Sequence, residues 1–191
     1  LFAARHGRVV IAGHDIAKEP RRALAAMGIV FQSPALDTDL TVSQNMSYYA
    51  ALHGMSGRQA AAAIEESLDR LGMGERLGEK VRNLNGGHRR RMEIARALIH
   101  KPKVLLLDEP TAGLDMAMRK SITAHVHDLA QNGGLSVLWT THLADEVSAS
   151  DDLAILHRGR LVAHGQADEL AGNASVQDLF HRLTGGTEEA A

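Results

Sequence analysis

The feature that most constrains the fold is a short apolar run that ends in two acidic residues, Val104-Leu105-Leu106-Leu107-Asp108-Glu109. Such a run is typical of a parallel strand that is covered on both faces. Burying an isolated charge costs free energy, so two acidic residues directly after a buried strand suggest a functional role. Ligands of open α/β sheets bind beyond the carboxyl ends of the strands, where Asp108 can hold Mg²⁺ and Glu109 can orient or deprotonate a water. Two solvated acids at a strand end are an equally good interpretation of this segment alone.

Predicted strands and helices alternate along the rest of the chain. Patterning and turn residues predict strands at residues 7–13, 27–31, 103–107, 135–139, 152–156 and 160–163. A charged turn is predicted around Pro20, and helices are predicted at residues 41–54, 57–71, 86–99, 116–131, 166–171 and 176–183. This alternation predicts an α/β fold with a mostly parallel sheet. Because residues of about 35–100 are mainly helical, we expect a helical subdomain inserted into one α/β domain spanning residues 1–191.

The size and composition are those of one globular domain. The chain has 191 residues, of which 45% are hydrophobic. Its net charge of −2 provides no field to recruit nucleic acid, so no nucleic-acid partner is expected. The lack of cysteine excludes disulfides and fits a reducing compartment. No apolar run approaches the roughly 18–20 residues that a membrane-spanning helix needs.

The 11 histidines do not have the spacing of a metal site. His125 and His127 lie two residues apart in a predicted helix, so they do not share a face. The sequence contains no His-Glu-x-x-His pattern. A metal site built from histidines is therefore not expected.

A second candidate binding feature is the helix start at Asn85-Gly86-Gly87-His88. Asparagine is a favoured N-cap residue, and the glycines let the backbone approach a ligand closely. The free N–H groups and the positive dipole end of a helix N-terminus attract anions such as phosphate. An ordinary capped helix after a Gly-Gly turn is the stronger interpretation of this segment alone. The arginines at residues 89–91 are expected on one solvated helix face, with room for one of them to pair with an acid.

Five motifs in order resemble those of ABC ATPases. The span Asn85 to Asp115, which includes Pro110-Thr111-Ala112-Gly113-Leu114-Asp115, is similar to the signature helix, Walker B strand and D-loop of that family. Gln32 matches the Q-loop, and His142, after Leu138-Trp139-Thr140-Thr141, matches the switch histidine. The resemblance covers essentially the whole chain, and its motifs constrain one another. It implies the ABC form of the P-loop NTPase fold, with ATP and Mg²⁺ as cofactors.

The resemblance implies a role for each residue in a site of ATP hydrolysis. Asp108 would hold Mg²⁺ through water, and Glu109 would be the general base. His142 would contact the γ-phosphate and position Glu109 or the water. Gln32 would bind near Mg²⁺ and report the nucleotide state to a membrane partner. Without the other motifs, Gln32 would be a polar strand end and His142 a helix-starting residue.

The resemblance also implies that a second subunit completes the site. Asn85, Gly86, Gly87 and His88 would bind the nucleotide held by the other copy, and Asp115 would act across the interface. The expected partners are a second ATP-binding subunit, in a homodimer, and a separate transmembrane permease. The expected location is the cytoplasm, at the inner face of the cell membrane.

Two signature residues depart from the family pattern, which usually has Ser-Gly-Gly-Gln. Asn85 keeps an acceptor for capping and adds an amide donor. His88 can donate as a glutamine does, but its charge can change near neutral pH. Nucleotide-driven dimerisation is therefore expected to carry a pH dependence that a glutamine would lack.

The phosphate-binding pattern Gly-x-x-x-x-Gly-Lys-Ser/Thr occurs nowhere in residues 1–191. In the family this loop and its helix immediately precede a segment similar to Leu1–Gly13, and Leu1–Arg5 resembles the end of a helix. We therefore expect a truncation through that helix. Without the backbone cradle and the phosphate lysine, the chain alone is expected to show little ATP binding or hydrolysis.

The single cassette and the phrase Thr140-Thr141-His142-Leu143-Ala144-Asp145-Glu146-Val147 resemble exporter-type, ABC-2-like ATPases. Residues 85–91 are similar to the ATPase that accompanies pyrroloquinoline-quinone-dependent alcohol oxidation. A permease is expected to dock around Gln32 to Tyr49, where Tyr48 and Tyr49 are either contacts or core. A soluble ABC ATPase of DNA repair or translation and a non-catalytic regulatory subunit are the alternatives.

Overall fold

The structure is a computed structural model that describes residues 7–185. The helical end predicted for Leu1–Arg5 lies outside these residues. The chain divides into two compact units, Leu1–Thr140 and Thr141–Ala191. Within residues 7–185, no helix has both the length and the hydropathy that crossing a bilayer requires.

The described part of the first unit alternates between strands and helices. In chain order the elements are β1 (Val10–Ile11), β2 (His14–Asp15), α1 (Pro20–Ala25), β3 (Met27–Val30), α2 (Val42–Leu52), α3 (Gly57–Arg70), 3₁₀ turns at Gly74–Arg76 and Val81–Asn83, α4 (Gly86–Leu98), β4 (Val104–Asp108), α5 (Met116–Asn132) and β5 (Ser136–Thr140).

The first unit is built on a three-stranded parallel sheet in the order β3-β4-β5. Val30 pairs with Leu107 and Asp108 pairs with Thr140, so the three strands end side by side. Helices α2, α3 and α4 lie in the chain between the neighbouring strands β3 and β4. The predicted parallel sheet is therefore confirmed. The assignment of residues of about 35–100 to an inserted subdomain stays a prediction.

One contiguous core joins the sheet to the helices. Leu105 and Leu107 of β4 are buried on the helical side, whereas Val104 and Leu106 are only half-buried. The expectation of a strand covered on both faces therefore holds for one face. The buried side chains that share the core come from every long helix of the unit and include Val42, Met46, Ile64, Leu68, Met92, Ile94, Ile122 and Val126.

The first described residues depart from two predictions. The strand expected at residues 7–13 is present but covers only Val10–Ile11, because Ala12 and Gly13 both have positive φ, 49° and 87°, and form the two-residue turn of a hairpin with β2. The charged turn around Pro20 is the short helix α1, which has proline at its first position, where the fixed φ of the ring suits a helix.

The second unit is small and is described for residues 141–185. Its elements are a 3₁₀ turn (Ala144–Glu146), β6 (Asp152–His157), β7 (Arg160–Gln166), α6 (Ala167–Ala171) and α7 (Val176–Thr184). Both strands are among those that the sequence predicts, and they pair antiparallel around a turn at Arg158-Gly159. Helix α7 begins with a capping box between Ser175 and Asp178.

Candidate functional site

The parallel sheet brings Gln32 and Glu109 together from positions 77 residues apart. Gln32 follows β3 and Glu109 follows β4, and these strands pair in register up to Val30 and Leu107. The Gln32 side-chain amide Nε2 donates to Glu109 Oε2 at 3.1 Å. Two residues that were predicted to act in one site therefore form a direct contact. Their catalytic roles stay predictions.

Asp108 lies beside this pair and is held by the next strand. Thr140 at the end of β5 donates its hydroxyl to Asp108 Oδ1 at 2.7 Å. The Asp108 side chain is exposed, so a hydrated cation can reach it. Sequence reasoning missed Thr140 as a member of the site, because only the pairing of β4 with β5 brings it to Asp108. Gln32, Asp108, Glu109 and Thr140 are called the strand-end region below.

The backbone of Glu109 has an uncommon conformation. Its φ is 42°, in the left-handed region that costs a residue with a Cβ about 1–2 kcal/mol. The Glu109 N–H donates to the Thr140 carbonyl at 3.0 Å and lies 3.3 Å from the Thr140 hydroxyl. Strain of this kind persists where the surroundings fix the backbone, and it concentrates at functional sites.

The donors available for a cation are oxygens. Among the described residues 7–185, no group of three or more His, Cys, Asp or Glu side chains lies close enough to hold a metal ion by itself. Mg²⁺ is commonly held by one or two carboxylates together with nucleotide phosphates and water, and one exposed Asp108 carboxylate fits that arrangement. Because the Gln32 amide nitrogen faces Glu109, its amide oxygen is the group that can ligate.

The second candidate site is the start of α4. Asn85 has an extended backbone, and its side-chain oxygen accepts from the His88 N–H at 2.8 Å, so it is the N-cap that the sequence predicts. Asn85 and Gly86 are exposed and His88 is half-buried. Residues 85–88 are called the helix-cap region below. The exposed position of Asn85 and Gly86 is compatible with contact to a ligand or another subunit.

Gly87 has a packing role that sequence reasoning missed. A Cβ at Gly87 would lie 2.4–2.7 Å from three side-chain atoms of Met118 in α5. A Cβ at Gly86 would meet only Leu114, at an ordinary 3.5 Å. The second glycine therefore allows α4 and α5 to approach each other, whatever its role toward a ligand.

Asp115 is the N-cap of α5. Its side chain accepts from the Met118 N–H at 2.9 Å. The predicted D-loop residue thus fixes the start of the helix that packs on Gly87. A function of Asp115 across a dimer interface stays a prediction.

His142 belongs to the second unit and is exposed. The loop that carries it is held by the Thr141 hydroxyl, which donates to the buried Glu146 and accepts from the Leu143 N–H at 3.0 Å. The local fold therefore gives His142 a defined position within its own unit. Its role toward a γ-phosphate stays a prediction.

The pKa of His88 is lowered by burial, and the nearby cations Arg76 and Arg91 lower it further, while Glu79 acts in the opposite direction. His88 is therefore neutral at pH 7 and retains one ring N–H donor. In this state it can replace the hydrogen-bonding function of a glutamine.

The arginines at residues 89–91 do not form one solvated face, because Arg90 is buried, but the expected pairing of one of them with an acid is confirmed. The Arg90 side chain is only 8% exposed and pairs with Glu93, whose side chain is 4% exposed, at 3.0 Å. The spacing of Glu93, three residues after Arg90 in a predicted helix, is the sequence signal for this pair. The neighbouring Arg89 and Arg91 are half-buried and bond to the Leu84 carbonyl and the Ser121 hydroxyl.

Comparisons with known proteins find a matching family and several relatives. A family model described as ABC transporter matches residues 1–112. Daunorubicin resistance ATP-binding protein DrrA3 of Streptomyces coeruleorubidus is 38% identical over 165 residues, 86% of this chain and 52% of that protein. Linearmycin resistance ATP-binding protein LnrL of Bacillus subtilis (strain 168) is 32% identical over 185 residues, 96% of this chain and 59% of that protein. The chain thus spans between half and two thirds of the length of these relatives.

A solved structure has a similar fold. It is cbiO1 from Clostridium perfringens, described as part of the ABC transporter complex cbiONQ. The likeness has a TM-score of 0.79 at 26% sequence identity and covers 88% of this chain and 69% of that chain.

Proposed function

Because this chain belongs to the ABC transporter family, whose model matches residues 1–112, we propose that it supplies the ATP-binding and ATP-hydrolysing function of a transporter. The family and the α/β ABC fold predicted from the motifs are confirmed. The observation that carries the proposal is the contact of Gln32 with Glu109, beside Asp108, at the joined ends of β3 and β4.

Glu109 is the proposed general base. Its carboxylate lies at the carboxyl end of a parallel strand, where phosphate ligands of such sheets bind. The Gln32 amide donates to it at 3.1 Å, so one carboxylate oxygen is oriented and the carboxylate can accept a proton from water. For His142 we propose the contact with the γ-phosphate that the resemblance to ABC ATPases implies.

ATP and Mg²⁺ are the proposed cofactors. When bound, Mg²⁺ neutralises charge on the β- and γ-phosphates. Asp108 would hold it through water, with the Gln32 amide oxygen as a second ligand. The hydrogen bond from Thr140 orients the Asp108 carboxylate for that task.

The helix-cap region is proposed to act on the nucleotide of a second subunit. Asn85, Gly86, Gly87 and His88 supply a side-chain amide, exposed backbone and a neutral imidazole N–H at a helix N-terminus. Asp115 would act across the same interface. This arrangement makes a homodimer the proposed active form.

The proposed transport partner is a separate membrane permease, and the proposed location is the inner face of the cell membrane. Two relatives are resistance ATP-binding proteins, which favours export of a small molecule. Around the proposed docking segment, Phe31 is 56% exposed and Tyr48 is 66% exposed, so both are available to a partner. Tyr49 is half-buried and packs on His53, so it fits the core rather than the docking surface.

The narrower resemblance to the ATPases that accompany pyrroloquinoline-quinone-dependent alcohol oxidation stays a prediction. The absent phosphate-binding pattern implies that residues 1–191 alone hydrolyse little ATP. The decisive experiment expresses the chain alone and together with any coding sequence upstream of Leu1, and measures Mg-ATP hydrolysis of both.

In any form that hydrolyses ATP, Glu109→Gln is expected to lower kcat by about 100-fold or more, the usual contribution of a general base. Glu65→Gln is the matched control, because Glu65 is exposed on α3. Hydrolysis that survives Glu109→Gln would remove Glu109 from the mechanism. A folded protein without hydrolysis in either form would favour the non-catalytic regulatory alternative.

A further inference from the structure

Arg90 is buried, although the residues on either side of it in α4 are partly exposed. A buried guanidinium requires several acceptors, because it carries five N–H donors and a full charge. One acceptor is the carboxylate of Glu93, at 3.0 Å. The other three are backbone carbonyls, of Phe31 at 2.7 Å, Gln32 at 3.2 Å and Glu109 at 3.5 Å. One side chain of α4 therefore contacts both segments of the strand-end region.

Two further residues on the same face of α4 hold the segment that follows Gln32. Glu93 Oε1 accepts from the Ala35 N–H at 2.9 Å, and Arg96 Nη1 donates to the Ala35 carbonyl at 2.6 Å. Glu93 and Arg96 follow Arg90 at helical spacing, so the three side chains form one row. This row fixes residues 31–35 at both ends.

The Glu109 backbone, whose φ is 42°, is hydrogen-bonded at both its N–H and its carbonyl. Its N–H bonds to Thr140 at 3.0 Å, and its carbonyl faces Arg90. The Glu109 carbonyl also accepts from the Ala112 N–H at 3.2 Å. Removal of the Arg90 donors would weaken the hold on the carbonyl side of this residue and on the carbonyls of Phe31 and Gln32, so the Glu109 backbone can relax toward an ordinary negative φ. That relaxation would redirect the Glu109 side chain and break its contact with Gln32.

The geometry points to Arg90 as a positioning residue, which fixes the backbones of Gln32 and Glu109 so that their side chains meet. Its relevance to catalysis rests on the proposed function, since only there do Gln32 and Glu109 act on nucleotide. The positioning itself is a property of this chain and needs no nucleotide. It can therefore be tested in residues 1–191.

The test is NMR spectroscopy of the isotope-labelled chain with Arg90→Met, which keeps the apolar stem and removes every donor. The ¹³Cα and ¹³Cβ shifts of Glu109 report its φ, and the side-chain amide protons of Gln32 report the contact with Glu109. We expect Arg90→Met to move both sets of signals. The matched control Arg91→Met removes the bond to Ser121 on another face of α4 and should leave them in place. A folded Arg90→Met chain with wild-type signals for Glu109 and Gln32 would overturn the proposal.

Arg90→Lys provides a second variant in case Arg90→Met does not fold. Lysine keeps the charge beside Glu93 but lacks the planar fork that serves several carbonyls. We expect the Glu109 and Gln32 signals to shift in this variant as well, and unshifted signals would contradict the positioning role.

A kinetic experiment connects the positioning role to catalysis. In a form that hydrolyses ATP, Arg90→Lys should lower kcat by about 10- to 100-fold and leave KM for Mg-ATP nearly unchanged, because misplacement of a reacting group by about 1 Å can cost 100-fold. Lack of hydrolysis by the unsubstituted protein would refute the proposed function, and the NMR result would still decide the role of Arg90.

Discussion

The strand-end region and the helix-cap region carry the two parts of the proposed chemistry, and they are held in different ways. In the strand-end region, the hydrogen bonds among its members join residues 31 to 77 positions apart. In the helix-cap region, the Asn85 side chain bonds to backbone three positions away. The first region therefore depends on the packing of the whole unit, whereas the second is formed largely by its own sequence. Substitutions that disturb the packing beneath the strand-end region should therefore lower the free energy of unfolding more than substitutions within the helix-cap region.

The largest effect is expected from Gly28→Ala in β3, the strand that leads to Gln32. A Cβ at Gly28 would lie 2.4 Å from the Ala97 backbone oxygen in α4. Because backbone atoms of a packed helix cannot move aside as a side chain can, we expect a loss of about 3 kcal/mol in the free energy of unfolding. Urea denaturation measures it, with Gly78→Ala as the control because a Cβ there meets nothing within 4 Å.

Gly87→Ala sharpens this comparison. Its added Cβ would also come within 2.4 Å of a neighbouring atom, but that atom belongs to the flexible Met118 side chain. The loss in the free energy of unfolding should be clearly smaller than for Gly28→Ala. Adding Met118→Ala should cost less in the Gly87→Ala protein than in wild type, because the two side chains would otherwise collide. Equal losses for the two glycine variants would show that the packing of the two regions is equally rigid.

An intermediate effect is expected from Asn85→Ala, which removes the hydrogen bond that the N-cap side chain accepts from the His88 N–H. The loss should be about 1 kcal/mol, the usual effect of replacing a capping residue by alanine. Asn85→Ser restores an acceptor and should retain most of the stability. Thermal or urea unfolding of the three proteins gives the comparison, and an Asn85→Ser variant as unstable as Asn85→Ala would contradict the capping role.

The same contrast explains what sequence reasoning found and what it missed. It found the cap at Asn85, because this cap depends on a side chain and backbone within three residues. It also found that Gln32 and Glu109 belong together, but through the resemblance to a family. It missed the burial of Arg90 and the role of Thr140, because their partners are set by how β3, β4 and β5 lie together. The left-handed backbone of Glu109 likewise has no local signal, since glutamate does not favour positive φ.

The smallest effect is expected from the pH dependence of His88. Burial and the cations Arg76 and Arg91 lower its pKa in the folded chain, so the unfolded chain binds the proton more readily. The stability linked to this histidine is therefore fully present above its ordinary pKa of about 6.5 and is lost as the pH falls below that value. His88→Gln removes this dependence and keeps a hydrogen-bond donor.

Burial also lowers the pKa of His53, His100 and His125, but these histidines are present in both proteins. Their contributions therefore cancel in the stability difference between wild type and His88→Gln, which reports His88 alone. Urea unfolding of wild type and His88→Gln should show the same stability difference at every pH above about 7 and a relative loss for wild type toward pH 5. Nucleotide-driven dimerisation, measured in a form that binds ATP, should diverge between the proteins over the same range if the helix-cap region contacts the partner's nucleotide. Parallel unfolding profiles down to pH 5 would show that His88 is as accessible to protons in the folded chain as in the unfolded one. Diverging unfolding with parallel dimerisation would instead place the titration inside the subunit and remove the helix-cap region from the dimer contact.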